Sequence, residues 1–459
     1  MAQLTWTVTG CVAVEHVLPE LARIKGASSA LHGVEVTVQA RSKIPFGWGP
    51  WTSWGTAVTN GRGRFTLVRT RGGDRRQFRI KVLFDDDRLR IKEGGRTGGT
   101  LGADGFPIDV DLDLTDKDWF VIHDDRTAAP VGRRAGWHDL GTLLVGPRRV
   151  RELADLWILV NLALDDLESM GSRFGLGRKQ VVKYPMGVGS GSPASASYSN
   201  PRNGTVYIKA DELHSRTILH ELMHQWAYDR TRGEDAMAWQ LVRHRTTNAA
   251  REATTFVPFH EAFADWAAYE MLRRLSNGEL TAFLEDNSES HPGVPHSRAF
   301  LVQALGSAER FLDTVAFTEQ GWRSFFTLLT CPTVDRLDPD ATGTIAGEGG
   351  AAGVLSRSLR SGLTFRQVLD ILNSHAGTPG ANSDLRNSDL DFDGIVHRAQ
   401  RVHPELADEV VAGILSCLDP LASGSPRDGV LVPRLRSDRS GELRVPVGAG
   451  MAPAGGLGS

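Results

Sequence analysis

Residues 217–226 read TILHELMHQW, and their reading decides how the second half of the chain folds and what it holds. On an α-helix, residues four apart lie one above the other, so His220 and His224 share a face and can reach one small cation. Glu221 falls at the edge of that face. Ile218, Leu219, Leu222, Met223 and Trp226 recur at the helical period and predict a core helix carrying one polar stripe. A surface or capping role for the three polar residues is the competing reading, and a carboxylate on a second helix is what decides against it.

HEAFADW, from His260, supplies that carboxylate. Glu261 and Asp265 are four apart on a second expected helix, whose Phe259, Phe263 and Trp266 can pack inward. Pro258 suits the helix start, where its missing N–H is not needed. A catalytic zinc takes three protein ligands and keeps one position open, so two histidines need a partner. The residues after His224, QWAYDR, lack the glycine and third histidine of a metzincin, which excludes that class.

H-E-x-x-H on one helix and E-x-x-x-D on the next resemble the gluzincin class, the thermolysin-like zinc metallopeptidases. The resemblance implies one zinc per chain, held by His220, His224 and Glu261. It implies Glu221 as general base and Asp265 as acceptor for an imidazole N–H, that of His220. Zinc at such a site acidifies water and polarises a scissile carbonyl, and the base moves the proton to the leaving amine. Tyr228, one turn beyond His224, and His291 and His296 in SHPGVPHS are candidate oxyanion stabilisers. The separation between His224 and Glu261 exceeds that of thermolysin-like enzymes, so residues 230–252 are expected as an insertion. TVYIK, from Thr205, is the expected edge strand for an extended peptide.

The first third of the chain has a different period. Short alternating runs, VEVTVQA from Val34, RFTLV from Arg64, QFRIKVLF from Gln77, RLRIK from Arg88, PIDVDLDL from Pro107 and DWFVI from Asp118, are separated by turn signals such as NGRG at Asn60 and RGGD at Arg71. Short strands at such spacing predict a β-sandwich. VEVTVQA followed by WGTAVTNGRGRFTL resembles the transthyretin-like or carboxypeptidase-regulatory-like sandwiches, and implies an accessory, positioning role. Trp48, Trp51 and Trp54 cluster in a Gly/Pro-rich segment that offers a protein-contact surface.

A net charge of −3 gives no electrostatic reason to expect nucleic acid or an anionic membrane as a partner. No apolar run is long enough to span a bilayer; WILVNLALDDL, from Trp157, is interrupted by Asn161, Asp165 and Asp166. The first twenty residues show no secretory pattern, so the expected compartment is the cytoplasm unless export proceeds without a signal. Three scattered cysteines suggest neither a disulfide framework nor a Cys metal site. Asp389, Asp391 and Asp393 begin like an EF-hand loop, but Gln400 stands where the bidentate Glu belongs, which favours a solvated acidic turn over a calcium site.

The sequence therefore predicts a multidomain α+β chain. An N-terminal antiparallel β-sandwich, residues 1–146, precedes a mainly helical zincin-type catalytic domain, residues 147–421, and a Gly/Pro/Ser-rich tail, residues 422–459. The expected function is zinc-dependent hydrolysis of a peptide or protein substrate, as an endopeptidase, since no G-x-M-E-N motif for binding an amino terminus is present. The alternatives are a non-catalytic, zinc-stabilised binding protein and a metallopeptidase toxin or effector. An intact Glu221 weighs against the first of these, because a scaffold needs no base.

Overall fold

LTWTVTGCVAVE, strand β1 (Leu4–Glu15), alternates apolar and polar residues, and Trp6, Val8, Val12 and Val14 are wholly buried. The computed structural model describes residues 3–72, 75–94, 96–101, 107–109, 119–128, 132–188, 197–200, 204–231, 256–277, 326, 363–373, 402–403, 436–437 and 443–444. The chain divides into two units. The first holds the described residues up to Asp229 together with Ala267–Asn277; the second holds those of Arg230–Arg232, Thr247–Trp266 and Asn287–Ser459.

In the first unit β1 is followed by helix α1 (Pro19–Lys25), β2 (Ser28–Ala30), β3 (Glu35–Ile44), β4 (Gly47–Trp48), β5 (Thr52–Val58), β6 (Arg64–Arg71), β7 (Arg75–Leu83) and β8 (Leu89–Glu93). Next come β9 (Arg96–Leu101), β10 (Pro107–Asp109), β11 (Phe120–Asp124), α2 (Asp125–Ala128), β12 (Arg133–Arg134) and β13 (Gly136–Leu144). One sheet centres on β1, which pairs antiparallel with β6 and β2 and parallel with β13. The other centres on β3 and β7, flanked by β4, β5, β11 and β12. Trp6 of the first sheet meets Trp54 and Phe78 of the second edge to face, with ring centroids 6.1 and 5.9 Å apart. That contact, with Val36, Val38, Phe65, Ile80 and Val82, is the core between the sheets. Trp54 is only 4% exposed, so it belongs to this core and not to a contact loop shared with Trp48 and Trp51.

Helix α3 (Arg148–Ser169) follows, burying Leu153, Leu156, Trp157, Val160, Ala163, Leu164 and Leu167. Its Asp155 is fully buried and joined to β1 and β2: Oδ1 meets His16 Nδ1 at 2.7 Å, while Oδ2 accepts from the Val17 and Leu18 N–H groups at 2.7 and 2.9 Å. The carboxylate places an imidazole proton on Nδ1, and Nε2 lies in hydrogen-bond contact with Ser29 Oγ at 2.7 Å. This has the connectivity of a Ser-His-Asp relay, but Ser29 pairs with the buried Val14 and shares its inward face. With both other side chains at zero exposure it is a structural staple. Trp157 Nε1 donates to His32 O at 3.2 Å, fixing the same helix to the other end of the loop.

Beyond α3 the chain returns to strands: β14 (Gln180–Tyr184), β15 (Gly187–Val188), β16 (Tyr198–Asn200) and β17 (Thr205–Tyr207). A four-stranded sheet runs β16-β17-β14-β8, with β14 parallel to both β17 and β8. Helix α4 (Ser215–Thr231) and helix α5 (Phe256–Leu275) follow, and α6 (Phe365–Asn373) lies in the second unit. The expectation of a mainly helical domain behind a purely antiparallel sandwich is therefore incorrect: the described residues are 39% strand and 37% helix, spread over several sheets. QVVKY and TVY read as short strands in the sequence, but YSN reads as part of a loop and RLRIK as part of the sandwich, so the sheet that these two build together with β14 and β17 is not anticipated. β8, taken from the presumed sandwich, instead pairs with β14. No helix among the described residues is long and apolar enough to cross a membrane.

In the second unit, Phe259, Phe263 and Trp266 of α5 gather around Phe326 with centroids 5.2–5.7 Å away, and Trp266 also meets Phe365 of α6 at 5.4 Å. The inward packing expected of these three residues is observed. Their burial fixes the rotation of the helix that carries Glu261 and Asp265.

Candidate metal centre

The site begins with how α4 is held. Trp226 is 1% exposed and donates from Nε1 to Phe174 O at 2.9 Å. Gln225, wholly buried, donates from Nε2 to Asn200 O at 3.0 Å and accepts from Arg178 Nη2 at 3.1 Å. Ser199 Oγ donates to Glu221 O. Two consecutive residues of β16 thus bind the backbone and side chains of α4 at the H-E-x-x-H segment. Every residue from Glu221 to Tyr228 is buried. The polar stripe expected on an otherwise apolar helix is itself enclosed.

Within that stripe, His220 and His224 turn their Nε2 atoms toward each other, 3.0 Å apart, with ring planes at 87°. Two imidazoles bound to one tetrahedral zinc at about 2.0–2.1 Å place their nitrogens about 3.3 Å apart, so the pair is close to the spacing a single ion requires. Glu261 completes the group: one ligand atom from each of His220, His224 and Glu261 lies within 4.8 Å of the others. Two neutral imidazoles and one carboxylate are a donor set suited to a divalent metal. These three residues could hold a metal ion.

Glu221 is 6% exposed and Asp265 2% exposed. Asp265 follows Glu261 by one turn of α5, as its spacing requires. Tyr228 stacks on the His224 ring, with centroids 5.6 Å apart and planes 15° from parallel, so its ring packs against a candidate ligand. His291 and His296, and the acidic turn of Asp389, Asp391 and Asp393, lie outside the described residues.

The strand beside the site differs from the expectation. β17, the TVYIK strand, has partners on both sides, β14 and β16, so it is not an edge. Among the described residues the edges of this sheet are β8 and β16, and β16 is the one next to α4; its Tyr198 stacks on Tyr207 at 4.6 Å. Ser199, Asn200 and Gln225 are supports of α4 that the sequence reading missed. Only the placement of a buried Gln directly after His224 could have hinted that the helix has a polar neighbour.

No family model, no curated protein and no solved structure matches the chain.

Proposed function

We propose that the protein is a zinc-dependent peptidase, on the resemblance of its two motif-bearing helices to those of gluzincins. The observation that carries the reading is the convergence of the half-buried His220 and Glu261 with the buried His224, and a buried Glu221 next to the first of them on the same helix. A bound zinc supplies Lewis acidity, acidifying water and polarising the scissile carbonyl. Glu221 accepts the proton of the attacking water and returns it to the leaving amine as the C–N bond breaks. Asp265 orients an imidazole by accepting its N–H, and this keeps the ligand in one tautomer. An extended substrate pairs with β16, the edge that Ser199 and Asn200 fasten to α4.

The test separates metal binding from catalysis. Purified protein is expected to carry one zinc per chain by elemental analysis and to cleave members of a mixed peptide library. Glu221→Gln should keep the zinc and lose activity by about two to four orders of magnitude. His220→Ala with His224→Ala should lose both. Retention of full zinc by the double histidine variant, or equal cleavage by Glu221→Gln, would refute the assignment.

A further inference from the structure

The sandwich carries a second feature unrelated to the metal centre. β3 and β4 form a tight hairpin in which Lys43 faces Trp48 and Ile44 faces Gly47, leaving Pro45 and Phe46 as the turn. Phe46 is fully exposed and Ile44 is 45% exposed, so the apolar residues stand at the outermost point of the hairpin. Immediately behind them the composition changes. Lys43 Nζ lies 5.3 Å from the Trp48 ring centroid, and Arg41 lies 4.6 Å from Trp51 and 5.6 Å from Trp48. Arg79 covers the other face of this cluster, 4.4 Å from Trp51.

The collar is cationic overall. Asp124 is the acid that answers it: it pairs with Arg79 at 3.2 Å and with Arg126, and its charge also reaches Arg41, so one carboxylate faces three guanidinium groups. Arg41 is held below the ordinary arginine range by burial and by the nearby charges of Arg126 and Arg79, a sign that positive charges crowd here. From tip to base the order is apolar, then aromatic and basic together, since Lys43 stands opposite Trp48 and Arg41 lies against Trp48 and Trp51. A bilayer presents the matching order from inside outward: hydrocarbon, an interfacial zone that accepts Trp, and an anionic headgroup plane that attracts Lys and Arg. The tip is convex, so a folded partner would have to supply a pocket for Phe46, whereas a fluid interface needs none.

We propose that the Ile44–Phe46 tip docks on an anionic lipid surface, inserting Phe46 while Arg41, Lys43 and the Trp48 and Trp51 rings sit at headgroup level. Two apolar side chains and a few basic ones give a reversible attachment, not an anchor.

The full chain is mixed with vesicles of phosphatidylcholine alone and of phosphatidylcholine with phosphatidylserine, and sedimented. Wild type is expected to sediment with the phosphatidylserine vesicles only, and less as salt rises. Phe46→Ser should weaken binding by about tenfold or more, and Lys43→Glu by at least about fivefold. Val58→Ser, which changes another exposed apolar residue (64%) away from the tip, should bind as wild type. Circular dichroism checks that each variant is folded, which is expected because all three side chains are exposed. Failure of wild type to bind either vesicle overturns the proposal. So does equal binding by Phe46→Ser, which would mean attraction by charge alone and point to an acidic macromolecule in place of a membrane.

Discussion

Asp155 shows how much a single side chain decides in this chain. It lies at zero exposure and accepts from His16, Val17 and Leu18, so it closes the end of β1 onto α3. Asp155→Asn keeps the shape but offers one acceptor oxygen where there were two, so an amide N–H must face either His16 or the Val17 and Leu18 N–H groups. A loss of about 1–3 kcal/mol is expected, read as a lower denaturant midpoint with unchanged slope. Asp125 has a comparable role in the second sheet and adds a pH dependence. Burial pushes its carboxyl up, but His123, Arg133 and the Phe78 N–H outweigh that and hold it below the usual aspartate range. Because the folded form titrates lower than the unfolded one, the stability it contributes is complete above about pH 3.9 and is lost as pH falls through the folded value. Thermal melts between pH 7 and pH 3 should therefore show a decline confined to the acid end, and Asp125→Asn should start less stable and decline less. An equal acid decline in the variant would assign the effect to other carboxylates.

At the level of elements, the helices of the site and the strand in TVYIK were legible, while the strand at the sheet edge beside them was not. The spacing in HELMH and HEAFAD fixes which residues share a face whatever surrounds them, because an i, i+4 relation is a property of the helix alone. The aromatic run Phe259, Phe263, Trp266 likewise states which side of α5 goes inward, and those residues are buried. β16 spans only Tyr198–Asn200, and its place at the sheet edge comes from pairing with β17, a relation between segments that no local pattern encodes. Trp54 was misplaced for a similar reason: W-x-x-W-x-x-W reads as one cluster, yet Trp54 points to the core while Arg41 and Arg79 cover Trp51 on the outer side. The attachment of β16 to α4 is open to test. Gln225→Ala removes the bond to Asn200 O and leaves Arg178 without that acceptor, while all the proposed ligands and the base remain. The expected result is retained zinc with cleavage reduced by about tenfold, corresponding to roughly 1.4 kcal/mol of lost positioning. Unchanged kinetics would show that the strand needs no such fastening.

For the molecule as a whole, the pairing of β8 with β14 decides where the chain can be divided. A cut after residue 146 follows the change from strand-like to helix-like sequence, and on that reading the first part should fold by itself. β8 and the segment before it say otherwise. Phe84, Leu89 and Ile91 are wholly buried, Phe84 packs on Trp157 of α3 at 6.1 Å, and Arg88 bonds to Asn161, Asp165 and Glu168 of the same helix. All those partners lie beyond residue 146, as does Asp155 of the staple. Removing them exposes three large apolar side chains, each worth about 1.5–3 kcal/mol when buried, against a total stability of only about 5–15 kcal/mol for a domain. The fragment 1–146 should therefore aggregate or melt without cooperativity, with dye binding to exposed apolar surface. The full chain measured in parallel should give a cooperative transition for the unit that contains α3. A sharp melt of the short fragment at the temperature of the full chain would show that the sheets need neither α3 nor β14.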